Sequence, residues 1–258
     1  MPRCKAREGL GARRTLLYVA AKQDERNAAD GRYPAAALGK GVAMKSITRA
    51  KPMEAVLASL EGYDRIFVAG CGTCATLCRT GGVEQVAAMR KALEESGRLV
   101  TGTLVIPTAC DNLTHECLAQ NRQAMKDAQA VLVMSCAFGV QTVAGYAARP
   151  VQPALDTLFF GLETSPGRFS EVCMQCGECV LAQTAGICPV TSCHKGLMNG
   201  PCGGTKDGKC EVDSATDCAW TLIYMRLKDM DRLDLMRRYC KPKNHQAMPR
   251  PGKVVIAV

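Results

Sequence analysis

Eight of the sixteen cysteines in this 258-residue chain fall within forty-six residues: Cys173, Cys176, Cys179, Cys188, Cys193, Cys202, Cys210 and Cys218. The first four read C-x2-C-x2-C-x8-C-P, the spacing of a thiolate cradle for an iron–sulfur cluster, with a longer final gap than in bacterial ferredoxins. Scattered cysteines are ordinarily buried, inert thiols. Eight clustered among glycines and prolines are not. Zinc is the competing metal, because tetrahedral Cys4 sites use similar C-x2-C pairs. The uninterrupted C-x2-C-x2-C triplet favours iron–sulfur, since zinc sites normally use pairs. Eight thiolates suffice for two 4Fe–4S clusters. In two-cluster ferredoxins the cysteine of the Cys-Pro pair serves the other cluster. Cys173, Cys176 and Cys179 could then take their fourth ligand from Cys202, Cys210 or Cys218, with Cys188 at the second site. Spacing leaves that partition open. His194 adjoins Cys193 and is either a further ligand or an exposed neighbour, and Cys240 and Cys4 stand isolated.

A second set of thiols is positioned by the elements that precede it. Pro52–Leu60 reads as a helix with proline in its first turn. Arg65-Ile-Phe-Val-Ala69 reads as a buried strand, and Val83–Glu95 as a helix ended at Gly97. Gly102–Pro107 is a second strand, Thr114–Ala128 a helix with a Thr cap, Ala130–Ser135 a third strand and Val140–Ala147 a short helix. Continuous apolar strands alternating with amphipathic helices imply a parallel sheet covered on both faces. The fold class is therefore α/β. A Rossmann-like parallel-sheet domain over 44–165 is followed by a small cysteine-rich iron–sulfur module with C-terminal helices over 166–258. Cys71 follows the first strand directly, Cys110 the second and Cys136 the third. All three fall at the carboxyl edge of the sheet, where open α/β folds bind ligands. Cys74 and Cys78 share the loop CGTCATLCRTGG with Cys71. A 4Fe–4S cluster on Cys71, Cys74, Cys78 and Cys136 is the first choice, with Cys110 competing with Cys78. Cys117 falls on a helix and is given no metal role. No G-x-G-x-x-G follows a strand, so dinucleotide binding is not indicated.

Composition sets the surroundings. Apolar residues make up 47% and charged residues 22%, as in a globular chain. No apolar run is long enough to span a bilayer, and the basic N-terminus lacks the apolar stretch of a signal peptide. A cytoplasmic location is expected, and in a reducing cytosol clustered cysteines read as metal ligands. The net charge is +9. Residues 1–43 hold nine Lys/Arg and four Asp/Glu, a net +5, which leaves +4 for the rest. With few aromatics and no basic stripe, nucleic-acid binding is disfavoured. Residues 1–43 lack periodicity and read as an atypical extension, with Met44 as the expected initiator. Further on, Ala219–Lys228 forms a helix whose Trp220, Ile223, Tyr224 and Leu227 share one face, and a second helix is expected from Arg232 to Tyr239. The basic, Pro-rich tail from Lys241 is expected to be either disordered or a strap that orders on a partner.

Four stretches, GCGTCATLCRTGG, MSCAFGVQTVA, CMQCGECVLAQTAGICPVTSCHKGLMNGPCGGTKDGKCEVDSATDCAW and the RPGK tail, resemble the small iron–sulfur subunit of bacterial methylenetetrahydrofolate reductases. The cysteine-rich part of that subunit is also described as the methylenetetrahydrofolate reductase C-terminal domain. The resemblance covers about residues 44–256. It implies a larger flavin-bearing barrel subunit that binds folate, with further electron-donor subunits feeding the complex. Clusters in this chain would then relay electrons one at a time to the partner's flavin. The alternative within the same complex is a zinc-stapled structural subunit with no redox role.

Overall fold

A computed structural model describes residues 45–165, 167–248, 250–252 and 254. The extension 1–43 lies outside the described residues. The chain divides into two compact units: Lys45–Gly161 with Glu171–Val258, and Met1–Met44 with Leu162–Ser170.

In the larger unit, four strands form a parallel sheet in the order β3-β2-β4-β5, with β2 Arg65–Cys71, β3 Leu99–Ile106, β4 Ala130–Met134 and β5 Val151–Pro153. Ile66, Phe67, Val68 and Ala69 of β2 and Val131, Leu132 and Val133 of β4 are wholly buried. A strand covered on both faces needs such an unbroken apolar run. Helices α1 Met53–Ser59, α3 Val83–Glu95 and α6 Ala137–Tyr146 bury Val56, Val86 with Leu93, and Val143 respectively. The register pairs Cys71 with Ile106 and Gly70 with Met134, so the three strands end level at one edge.

The structure departs from sequence expectation in several places. The helix expected over Thr114–Ala128 is two, α4 Thr114–Gln120 and α5 Arg122–Asp127, broken at Asn121. The Asn121 side chain donates to the Cys117 carbonyl at 3.0 Å, the local competition with helical bonding that Asn offers. Thr114 does not cap; its hydroxyl donates to the Ala109 carbonyl at 3.0 Å. β1 Lys45–Ala50 and β6 Leu155–Ser165 form an antiparallel pair, and β6 runs on to a short β7 Arg168–Glu171; the sequence pattern does not announce these strands.

Residues 171–248 hold little regular structure besides short turns, α7 Pro189–Ser192 and α8 Ala219–Asp229. A separate small core of Trp220, Ile223, Leu227 and Leu235 forms here, with Cys193, Cys218 and Ile187 packed against it. The stripe of α8 thus faces the cysteine module, except that Tyr224 is exposed. The helix expected over Arg232–Tyr239 is a 3-10 segment, Leu233–Arg237. The basic tail folds back on its own chain. Asn199 and Cys240 exchange two hydrogen bonds, of 2.7 and 2.9 Å, and the Asn244 amide donates to Glu178 Oε2 at 2.9 Å. Backbone pairing supplies the anchorage that the polar composition of the tail conceals.

Candidate metal centres

The first candidate centre is built on the level carboxyl edge of the sheet. β2 ends in Cys71, and its chain turns at once through the one-turn helix α2, Cys74–Leu77. The loop then folds back over the edge: the Cys71 amide donates to the Gly81 carbonyl at 3.0 Å, and the Gly81 amide to Ala75 O at 3.1 Å. Gly81 makes this approach possible. A Cβ there would stand 2.0 Å from the Met134 carbonyl oxygen of β4. Cys136 lies at the start of α6, just after β4, where the Ala137 amide donates to Thr157 Oγ1 at 2.8 Å. Cys110 sits on the turn after β3.

Cys71, Cys74, Cys110 and Cys136 all follow strand ends at this edge. Cys71 and Cys136 are buried, Cys74 is half-buried and Cys110 is exposed. Burial pushes the Cys74 thiol up, and the neighbouring Cys136, Cys71 and Cys78 push it further, against the Ser46 amide, which favours the thiolate. Burial likewise raises Cys110, joined by repulsion from Cys136, Cys71 and Cys74. For Cys71, burial also pushes upward. There the hydrogen bonds from Thr73, from the Ala109 backbone and from Ser135 outweigh it, and its pKa lies below the ordinary thiol value. Thr73 Oγ1 is 3.3 Å from Cys71 Sγ. Ser135 Oγ is buried with no partner at ordinary hydrogen-bond distance among the described residues, so its help to Cys71 is the smallest of these. Cys78 also neighbours Cys74. It is 8% exposed, and its thiol donates to the Ser46 carbonyl at 3.7 Å. Cys117 is half-buried on α4 and packs against the sheet core.

The C-terminal thiols fall into two neighbourhoods. Cys193, Cys202, Cys210 and Cys218 line one small cavity beside Trp220. Cys210 Sγ is 3.5 Å from His194 Nδ1, so His194 is a polar neighbour of that cavity. Burial pushes Cys218 up, but hydrogen bonds from Thr221, Thr205 and the Trp220 backbone carry it below the ordinary value. The other neighbourhood is the C-x2-C-x2-C loop. The Gln175 amide donates to Cys173 Sγ at 3.4 Å, and Thr191 Oγ1 donates to Cys188 Sγ at 3.5 Å. Cys176 is pushed up by burial and more strongly down by hydrogen bonding at Glu178 and by the Lys243 ammonium. Lys243 also donates to the Glu178 carbonyl, so the returning tail lies across this loop. Gly177 accepts the tail: at φ 78, a Cβ on it would stand 3.1 Å from the Ala247 carbonyl. Cys179 is exposed on the same loop, and Cys240 sits in the tail.

Among the described residues, no three Cys, His, Asp or Glu side chains close on one point as ligands of a single ion. A lone tetrahedral zinc would require sulfurs about 2.3 Å from its centre. A four-iron cube carries each thiolate on a different corner and holds them further apart.

Fold and thiols together define a cysteine-rich α/β protein. Residues 152–246 match the model of a family described as methylene-tetrahydrofolate reductase C terminal. The match includes all eight cysteines from Cys173 to Cys218, and leaves the sheet-edge thiols outside it. It supports a relation to the methylenetetrahydrofolate reductases. No curated protein and no solved structure matches the chain significantly. Sequence reasoning passes over Ser46, Thr73, Ser135 and Lys243. Their part depends on backbone proximity and on a folded tail, for which no local motif exists.

Proposed function

We propose that this chain is an iron–sulfur electron-transfer subunit that passes electrons to a flavin-containing methylenetetrahydrofolate reductase subunit in one-carbon metabolism. What supports the reading is that β2, β3 and β4 end level at one edge, with Cys71 and Cys74, Cys110 and Cys136 following their respective ends. Their donor set fits a 4Fe–4S cluster, with Cys110 rather than Cys78 as the fourth ligand because the Cys78 thiol is engaged by Ser46. In the C-terminal module, Cys173, Cys176, Cys179 and Cys188 form one ligand set, and Cys193, Cys202, Cys210 and Cys218, which share a cavity, form the other.

A bound cluster supplies reversible one-electron chemistry. The chain's own residues do the rest. Burial raises the Cys71 pKa, but hydrogen bonds from Thr73 and the Ala109 backbone bring it below the ordinary thiol value, which favours the thiolate that a cluster binds. Burial of Cys71 and Cys136 excludes water from the inner side of the edge. Lys243 places a positive charge beside Cys176, which offsets thiolate charge and favours the reduced state of whatever the loop holds. Folate reduction itself is assigned to the partner. Anaerobic mixing of the dithionite-reduced chain with the flavin-bearing reductase subunit tests the assignment. The flavin absorbance should bleach at the expense of the chain's cluster absorbance. A flavin that stays oxidised, or a chain that reduces methylenetetrahydrofolate unaided, would overturn it.

A further inference from the structure

The described surface carries a cationic pocket that the metal centres do not use. It lies between α4–α5 and the C-terminal end of α6, with a volume of about 500 Å³. That is within the roughly 300–1,000 Å³ range of small-molecule sites. Its wall along α4 and α5 is set by helical spacing: His115, Leu118, Arg122, Met125 and Lys126 recur at intervals of three and four. The facing wall brings Tyr146 and Arg149.

Charge is sorted across this pair of helices. Arg122 and Lys126 line the pocket, while the carboxylates of the same helices, Glu116 and Asp127, do not. Asp127 instead accepts from Gln123 at 3.0 Å. Several surface cations elsewhere are answered by carboxylates, as in Arg90 with Glu94, Lys209 with Asp217 and Arg232 with Asp234. Among the described residues, the Arg122 and Lys126 side chains have neither an ion pair nor a hydrogen bond. Arg149 uses one N–H, donated to the Lys126 carbonyl at 2.8 Å, and lines the same pocket. Arginine offers five N–H donors, so most of the fork is left for a ligand. Between the cations lies apolar surface from the buried Leu118 and from Met125. At the rim, the His115 and Tyr146 rings pack against each other at 5.3 Å.

We propose that this pocket binds a small organic polyanion, with two or more negative charges on Arg122, Lys126 and Arg149 and a flat apolar part against Tyr146 and His115. Bare solvated cations on a convex surface would select for nothing beyond charge. Concavity, an apolar floor and an aromatic rim add selection for a planar body. Two sources meet this chemistry: the phosphates of a nucleotide, or the carboxylates of an aromatic polycarboxylic acid. The inference does not rest on the metal centres.

The test is isothermal titration of the full-length protein with ADP, AMP, benzene-1,2,4-tricarboxylate and inorganic phosphate. At least one ring-bearing anion should bind tenfold or more tightly than phosphate, and the arm that responds identifies the source. Arg122→Ser and Lys126→Ser should each weaken it about tenfold to a hundredfold, the range for a hydrogen bond to a charged group. Tyr146→Ala should bring the ring-bearing probe down toward phosphate and leave phosphate unchanged. Raising ionic strength should weaken binding throughout. All three side chains are exposed, and unchanged iron content and circular dichroism would show that each variant is folded. Equal affinity for phosphate and for every ring-bearing probe, or unaltered binding in Arg122→Ser and Lys126→Ser, would overturn the proposal.

Discussion

Substitution of Gly81 by alanine should dismantle the sheet-edge centre without touching a single cysteine. The new Cβ would stand 2.0 Å from the Met134 carbonyl oxygen, 3.0 Å from its carbon and 2.9 Å from Ala75 Cβ. The oxygen and carbon belong to the backbone of the buried strand β4, so neither can swing aside. The loop must lift. Overpacking of this kind costs about 1–3 kcal/mol. Lifting also strains the hydrogen bonds from Cys71 N to Gly81 O and from Gly81 N to Ala75 O, 3.0 and 3.1 Å long, each worth about 1 kcal/mol. The sum is about 3–5 kcal/mol, and at roughly 2–4 °C per kcal/mol the melting temperature should fall by about 10 °C. Gly145→Ala is the matched control. Gly145 lies on α6, and a Cβ added there would meet nothing within 4 Å, so alanine should leave stability unchanged or raise it by about 0.5–1 kcal/mol. Anaerobic differential scanning calorimetry and iron determination on both variants make the assay. Gly81→Ala should lose about four iron atoms per chain. A Gly81→Ala protein with full iron and an unshifted melting temperature would refute the account of how the edge is built.

Cys110→Ala should remove the sheet-edge cluster and its electron paramagnetic resonance signal. Cys78→Ala should keep the signal and cost about 1 kcal/mol of stability through the vacated buried volume; the reverse pattern would restore Cys78 as the ligand. Five thiols should titrate away from the ordinary value when the metal-free chain is followed by thiolate absorbance. Cys71, Cys176 and Cys218 should ionise below the ordinary thiol value, and Cys74 and Cys110 above it. The folded-state pKa of Cys71 is depressed, so its contribution to stability is present above the ordinary thiol pKa and is lost as pH falls through the lowered value. Cys74 and Cys110 have the opposite sign, favouring the fold at lower pH and losing that contribution as pH rises through their raised values. Chemical denaturation of Cys71→Ser beside the parent across the alkaline range reads the first effect directly. Lys243→Ala should lower the midpoint potential of the C-x2-C-x2-C centre by roughly 40 mV, the equivalent of about 1 kcal/mol of charge interaction. A potential that does not move in a redox titration would remove Lys243 from the centre's environment.

Much of this is legible in the chain because the parallel sheet announces itself. Runs such as Arg65–Ala69 and Ala130–Ser135 are apolar on both faces, and strands of that kind can only be buried. Once they are placed, Cys71, Cys110 and Cys136 must share an edge, since parallel strands point their carboxyl ends the same way. Choosing between Cys78 and Cys110 is beyond the sequence. That choice turns on Ser46, which belongs to β1, a strand whose short KSITRA run has no distinctive pattern and whose partner β6 lies more than a hundred residues on. The tail misleads for a related reason: its polar side chains hide the fact that its backbone is what pairs, through Asn199 and Glu178. The break at Asn121 escapes pattern reading because the apolar spacing runs through it undisturbed, while the side chain that ends the helix acts on the backbone alone.

Iron, acid-labile sulfide and zinc determined together on the anaerobically purified protein test the central claim most directly. The account predicts iron and sulfide in equal amounts, about eight or more of each per chain, from at least two four-iron clusters. Zinc alone, still in place after anaerobic reconstitution with iron and sulfide, would contradict it.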